Sequence, residues 1–361
     1  VLYIMHYDDV NTNGMWDATE LYGWNATNRS KGHTIYWPLE ARDYDNDDMP
    51  DFWEVRKSFN WTNTADCVAD ADSDGFYNVL EYCMKTDPYS ANKSTNTAIC
   101  NAIAAVDEKL AGRTPSVALP IFSVQNHAAT NYVRNTNCWA FEYDMTCCSP
   151  WNSEWYNGQA GTLISPQHII FCAHWGRSIS TNTVFRFVDR NNNVYERRLV
   201  DKRVHTNYFD LYPDIMIGLL DSPITNGISY AKILPDDYEK YLSCGTRLPV
   251  VRMDQEEKAL IGDIKNISIS EYSRWKTKCN IPLSSARYLF YESIVIGDSG
   301  NPAFLILSGE PILLTVWSSG GAGDGTSIIA FKDDVNQMMS ELGGGYQLTP
   351  INLNGFSAIG Q

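Results

Sequence analysis

The stretch Ile296-Gly297-Asp298-Ser299-Gly300-Asn301-Pro302 carries the residue types that present a hydroxyl nucleophile. Ser299 stands between glycines, which keep side chains off a tight turn, and Asp298 precedes it. On such a turn the backbone N–H groups of Gly297 and Ser299 can aim at the oxyanion that develops in an acyl-transfer intermediate. Serine at its ordinary pKa is a weak nucleophile. The chemistry therefore also needs a base to take its proton and a third group to orient that base. A Gly-rich surface turn has the same composition, so the turn alone does not decide.

A second chemistry is written in spaced oxygen ligands. Asp70, Asp72, Asp74, Asn78 and Glu81 fall at positions 1, 3, 5, 9 and 12 of a twelve-residue stretch, with Gly75 at position 6 and the carbonyl of Phe76 at position 7. A hard cation gathers about six to eight oxygens, and alternate positions of a tightly wound loop converge on one centre. The glycine permits the sharp turn, and the last glutamate can bind through both oxygens. Asp43, Asp45, Asp47, Met49, Asp51 and Glu54 fit the same template, with Asp48 where the glycine should be, which predicts a strained loop. Asp9, Asn11, Asn13, Met15, Asp17 and Glu20 fit it a third time, with Gly14 in place and fewer charges. Two to three structural Ca2+ ions are the expectation.

Charge supports this division of labour. The chain has 361 residues and a formal charge of −15. Residues 1–95 hold 7 basic and 17 acidic side chains, a net of −10, and the remaining 266 hold 21 and 26, a net of −5. An acidic segment rich in aromatics points to bound cations and away from nucleic acid, which needs a basic face. No apolar run is long enough to span a membrane. Nine scattered cysteines form no CxxC pair and fit no zinc site, so disulfides in a secreted or extracellular protein are expected. The odd count leaves self-association open.

The elements that must position these groups change in texture along the chain. Residues 1–95 read as a calcium-binding module and 96–137 as a connector. The periodicity of Ile99, Ile103, Val106 and Leu110 predicts a helix from Thr95 to Arg113 that bridges the calcium module to the rest of the chain, or belongs wholly to one domain. From 138 to 361 short β-like runs recur: Gly161 to Ser165, His168 to Cys172, Thr183 to Val188, Tyr195 to Val200 and Ile215 to Leu220. Asp189 to Asn193 is a hairpin turn. A helix is expected from Lys332 to Leu342, stopped by Gly343-Gly344-Gly345. The class is mainly β, barrel or sandwich.

Two resemblances sharpen this. Gly161-Thr162-Leu163-Ile164-Ser165-Pro166-Gln167-His168-Ile169-Ile170-Phe171-Cys172-Ala173-His174 resembles the strand pair leading into the catalytic histidine of trypsin-like (chymotrypsin-fold) serine proteases. Tyr212-Pro213-Asp214-Ile215-Met216-Ile217-Gly218-Leu219-Leu220 resembles the segment carrying their aspartate. Asp214 lies 40 residues past His174, and Ser299 lies 85 past Asp214, the order and intervals of that family. The resemblance implies a double β-barrel with a C-terminal helix and a His174–Asp214–Ser299 triad. It implies an oxyanion hole from Gly297 and Ser299, and a protein or peptide substrate. It also places Ser293 at the base of the primary pocket, with Ser318, Ser319 and Gly320 on one wall. That would favour a neutral, even large apolar, side chain, whereas the neighbouring Glu292 would favour a basic one. His168, His205 and Asp210 are rivals of lower rank. Departures are Trp175 where a cysteine is usual, Asn301 where glycine is usual, and no Ile-Val-Gly-Gly activation terminus, so Asp298 needs another partner. The 43–54 and 70–88 stretches resemble tandem bacterial calcium repeats of the thrombospondin type 3 and dockerin kind, in which calcium is structural.

The expected activity is a secreted, calcium-binding serine endopeptidase. The alternative is an extracellular surface or matrix protein, structural or adhesive, with a protease-like domain. An esterase is less favoured, because α/β-hydrolases run Ser, Asp, His.

Overall fold

The computed structural model describes residues 42–91, 96–150, 160–176, 178–205, 213–242, 246–267 and 275–359, and the backbone of 23–27 and 34–38. The chain forms two compact units, Val1–Asn92 and Lys93–Gln361. The expected ion loop of Asp9, Asn11, Asn13, Met15, Asp17 and Glu20 lies outside the described residues.

In the first unit, β1 (Gly23–Thr27) and β2 (Thr34–Pro38) pair antiparallel. Two short helices come next, α1 (Asp51–Arg56) and α2 (Asn78–Met84). Met49, Cys67, Phe76, Val79 and Leu80 are buried, and Trp53 packs edge-on to Tyr82. This apolar core is small. Asp47, Glu54 and Glu81 are buried beside it, where ionisable groups seldom sit without a counter-charge.

The second unit opens with α3 (Ala98–Leu110). Thr97 caps it by accepting the Cys100 N–H at 3.1 Å, and the chain leaves through Gly112 at φ +70°. Ile99, Ala102, Ile103, Val106 and Leu110 form one buried face, as the 3.6-residue period requires. The predicted helix is therefore real but shorter at each end, and it belongs to this unit. Next come the hairpin β3 (Phe122–Asn126) and β4 (Asn131–Arg134).

Two six-stranded, barrel-shaped antiparallel sheets make up the bulk of this unit. The first contains β5 (Cys148–Ser149), β6 (Gly161–Leu163), β7 (His168–Phe171), β8 (Val184–Val188), β9 (Val194–Val204) and β10 (Met216–Leu220). Its order is β5-β6-β7-β10-β9-β8. The second closes as a barrel from β11 (Pro249–Met253), β12 (Ala259–Ile267), β13 (Lys276–Asn280), β14 (Pro302–Leu307), β15 (Glu310–Ser319) and β16 (Asp324–Thr326), in the order β11-β12-β13-β16-β15-β14. β11 and β14 are buried at every residue, because their outer faces lie under α3. That explains why β14 reads as an unbroken apolar run and not as an alternating strand. The Asp189 turn closes the β8–β9 hairpin, its carboxylate accepting the Asn191 and Asn193 N–H groups at 2.8 Å each. The C-terminal helix spans Lys332–Leu342 and stops at Gly343.

The fold is thus mainly β with two barrel-shaped sheets. The disulfides are a correction: no disulfide joins any two described cysteines. Even the adjacent Cys147 and Cys148 hold their sulfurs 3.8 Å apart, against about 2.05 Å in a bond. Cys138, Cys147, Cys148, Cys172 and Cys279 are buried as small apolar side chains.

One buried ion pair fastens α3 to the second barrel. Arg287, at 0% exposure, donates Nε and Nη2 to the two oxygens of Asp107 on α3 at 2.7 and 2.8 Å. Its Nη1 reaches Asp263, also 0% exposed, at 3.0 Å. Arg287→Ala would leave the Asp263 carboxylate buried without its hydrogen-bonded counter-charge. We expect a loss of about 3–5 kcal/mol, measured as a lower urea midpoint.

Candidate active site and acidic clusters

β7 and β10 are antiparallel neighbours, with Phe171 opposite Met216. The residue beyond the end of one strand therefore lies beside the residue before the start of the other. His174 follows β7 in the short helical turn Ala173–Gly176, and Asp214 precedes β10. The pairing brings them together. Asp214 Oδ1 accepts the His174 backbone N–H at 2.6 Å, and Oδ2 meets His174 Nδ1 at 2.6 Å. On the other side of the ring, His174 Nε2 lies 3.0 Å from Ser299 Oγ. Ser299 comes from the second barrel, on the turn before β14. The Asp214 N–H donates to Thr326 Oγ1 of β16 at 2.8 Å, so the aspartate is tied to the sheet that supplies the serine.

This is a chain of proton-transfer contacts. A neutral His174 with its proton on Nδ1, held there by Asp214, presents a basic Nε2 to the Ser299 hydroxyl. Ser299 N–H has no acceptor among the described residues. Gly297 has φ +107°, a conformation that favours glycine, and the Gln255 amide packs against it, where a Cβ would come within 2.4 Å of Oε1. Gln255 Nε2 also donates to the Ile296 carbonyl at 3.2 Å.

Asp298 has main-chain partners within its own fold. It is 1% exposed. Its Oδ1 accepts the Gln255 N–H at 3.0 Å and its Oδ2 the Val295 N–H at 2.7 Å. Gln255 gave no sequence signal, since it is 44 positions from Ser299 and in no motif.

The rival histidines are accounted for. His168 is buried and its Nδ1 meets Ser165 Oγ at 2.8 Å. His205 lies 3.4 Å from Asp334 and packs edge-on to Phe331. Asp210 lies outside the described residues. Ser293, Ser319 and Gly320 are exposed and Ser318 is half-buried. Glu292 does not await a basic substrate, because Lys258 Nζ engages both its oxygens at 2.9 and 2.8 Å.

In the N-terminal unit, ligand-bearing atoms of Asp43, Asp45 and Asp47 lie within 4.8 Å of one another, and so do those of Asp47, Glu54 and Asp66. Both oxygens of Asp45, both of Glu54, Asp47 Oδ2 and Asp66 Oδ1 are buried without a hydrogen-bond partner among the described residues. Burial, reinforced by like charges, pushes Asp47 and Glu54 up to about 8 and Asp45 up to about 6. Orphaned, converging carboxylates fit a hard divalent cation. Asp51 is used differently: it binds Arg42 at 2.9 Å and the Tyr44 N–H at 2.8 Å. Asp66, not Asp51, converges with Asp47 and Glu54. It lies outside the twelve-residue template, so spacing could not reveal it. Asp48 adopts φ +75°, the strain that glycine would have avoided.

The second cluster is Asp70, Asp72 and Asp74. Asp70 accepts the Asp74 and Gly75 N–H groups at 3.2 and 2.8 Å, which winds the loop. Phe76, Asn78 and Glu81 are buried, and Asn78 Oδ1 has no partner among the described residues.

No protein-family model matches the chain, and no curated protein matches it significantly. Among the described residues no helix is long and apolar enough to cross a membrane.

If this cluster holds Ca2+, Asp66→Asn should weaken its binding by roughly tenfold or more, about 1.4 kcal/mol, as much as Glu54→Gln, while Asp51→Asn should have a smaller effect. Isothermal titration of the EGTA-stripped protein checks the ranking.

Proposed function

We infer that the chain is a serine endopeptidase that hydrolyses peptide bonds through an acyl-enzyme on Ser299. The observation that carries this is His174, whose ring nitrogens lie 2.6 Å from Asp214 and 3.0 Å from Ser299 Oγ. The two six-stranded sheets and the order His, Asp, Ser support the trypsin-like form of that chemistry.

In the proposed reaction, Ser299 Oγ attacks the scissile carbonyl carbon as His174 Nε2 takes its proton. The carbonyl π electrons move to oxygen, where the Ser299 and Gly297 N–H groups stabilise the charge. Collapse expels the amine, which takes the proton from His174. A water then repeats the sequence and frees Ser299. Asp214 stays ionised and keeps the imidazole oriented. One lost oxyanion donor would cost about 10²–10³ in rate.

Calcium in the N-terminal unit is proposed as structural. The residues that would hold it are Asp43, Asp45, Asp47, Glu54 and Asp66 in one cluster, and Asp70, Asp72, Asp74, Asn78 and Glu81 in the other. Binding free energy would then be folding free energy for that unit. EGTA should lower the melting temperature of an N-terminal transition, read by Trp fluorescence, and excess Ca2+ should restore it. Secretion is proposed only on the acidic repeats, since the described cysteines form no disulfide with one another.

A fluorophosphonate probe with intact-mass readout tests the nucleophile. We expect one adduct per chain, lost in Ser299→Ala and slowed about 10⁴-fold in Asp214→Asn. No adduct on folded wild-type protein would overturn the hydrolase reading and favour the structural or adhesive alternative.

A further inference from the structure

If Ser299 is acylated as proposed, the side chain on the acyl side of the scissile bond must fit between two segments. These are 291–295, leading to the nucleophile, and 317–323, at the end of β15 and beyond. The resemblance in sequence leads one to expect a slot there, wide enough for a large apolar side chain.

The structure shows the two segments joined. Ile294 and Gly321 exchange both backbone hydrogen bonds, at 2.8 and 2.9 Å, in an antiparallel bridge. The Arg252 guanidinium also spans them. Its Nη1 donates to the Ala322 carbonyl at 2.6 Å and its Nη2 to the Glu292 carbonyl. Both carbonyls are therefore turned toward a shared interior that the arginine fills. Arg252 is 0% exposed.

Trp317 completes the filling. It too is 0% exposed. Its indole N–H donates to the Met253 carbonyl at 3.2 Å, and its six-membered ring lies against Gly323, where a Cβ would come within 2.9 Å. The guanidinium carbon sits 6.0 Å from the Trp317 ring and 4.7 Å from the Tyr291 ring. Two carbonyls and two aromatic faces thus compensate the buried charge.

We propose that Trp317 and Arg252 occupy the primary specificity space, so that the enzyme accepts only a small residue, Gly, Ala or Ser, on the acyl side of the cleaved bond. A packed interior does not yield to an added side chain without strain, and one methylene too many in a specificity site costs about 10- to 200-fold. The competing use of Arg252 is as receptor for an acidic substrate side chain. Its complete burial beneath Tyr291 speaks against that.

The test uses diphenyl phosphonate probes that carry the side chain of Ala, Phe, Arg or Glu, so no natural substrate need be known. Labelling rates at Ser299 are read by intact mass on the full chain. The Ala probe should react at least about tenfold faster than the others. A Phe, Arg or Glu probe that matches or beats it would overturn the proposal, and Glu would reassign Arg252 as an anion receptor. Failure of the Ala probe where a plain fluorophosphonate labels Ser299 would also overturn it. If the plain fluorophosphonate fails as well, the hydrolase reading itself falls. Trp317→Ala, with the milder Trp317→Leu in case the larger truncation prevents folding, should raise the Phe-to-Ala rate ratio. An unchanged ratio in a folded variant would count against a filled pocket.

Discussion

The candidate site depends on one carboxylate that holds one residue twice. Asp214 accepts both the main-chain N–H and the ring Nδ1 of His174. A single bond would leave the imidazole free to rotate about its side-chain torsions. Two bonds fix the ring against its own backbone, so Nε2 can face only one way. Antiparallel pairing of β7 with β10 makes this geometry available, and the Thr326 hydroxyl carries it across to the second barrel. The serine then needs only a turn of the right shape.

That shape is held from the outside. The Gly297 turn is packed by Gln255, and the same residue's N–H holds Asp298. The geometry around Ser299 is therefore a property of β11 and the loop after it as much as of the Gly-Asp-Ser-Gly sequence. Electrostatics in the N-terminal unit work in the opposite sense. There, side chains of one sign are driven together by a small fold that has little apolar surface to offset the repulsion. A bound divalent ion would turn that repulsion into the main cohesive force of the unit.

Short-range chemistry was legible in the sequence. His174, Asp214 and Ser299 each sit in a local pattern, and the helix ending at Leu342 announced its stop with Gly343. Features that depend on register or distant packing were not legible. Asp66 enters its cluster from outside the loop template. Trp317 and Arg252 sit on strands whose sequence says nothing about which neighbours a ring or a guanidinium will meet, so their burial between the 291–295 and 317–323 segments was not expected. Glu292 looked available until Lys258, 34 residues away, was found to hold it. The cysteines misled for a related reason: their number is a statement about composition, whereas a disulfide is a statement about two sulfurs at one distance.

Asp298 carries one more consequence. Its two acceptor oxygens are already satisfied by main-chain donors from Val295 and Gln255. No new chain end has to be delivered to it. The turn that presents Ser299 is therefore completed by main-chain groups of its own fold, and its shape is set when the second barrel folds.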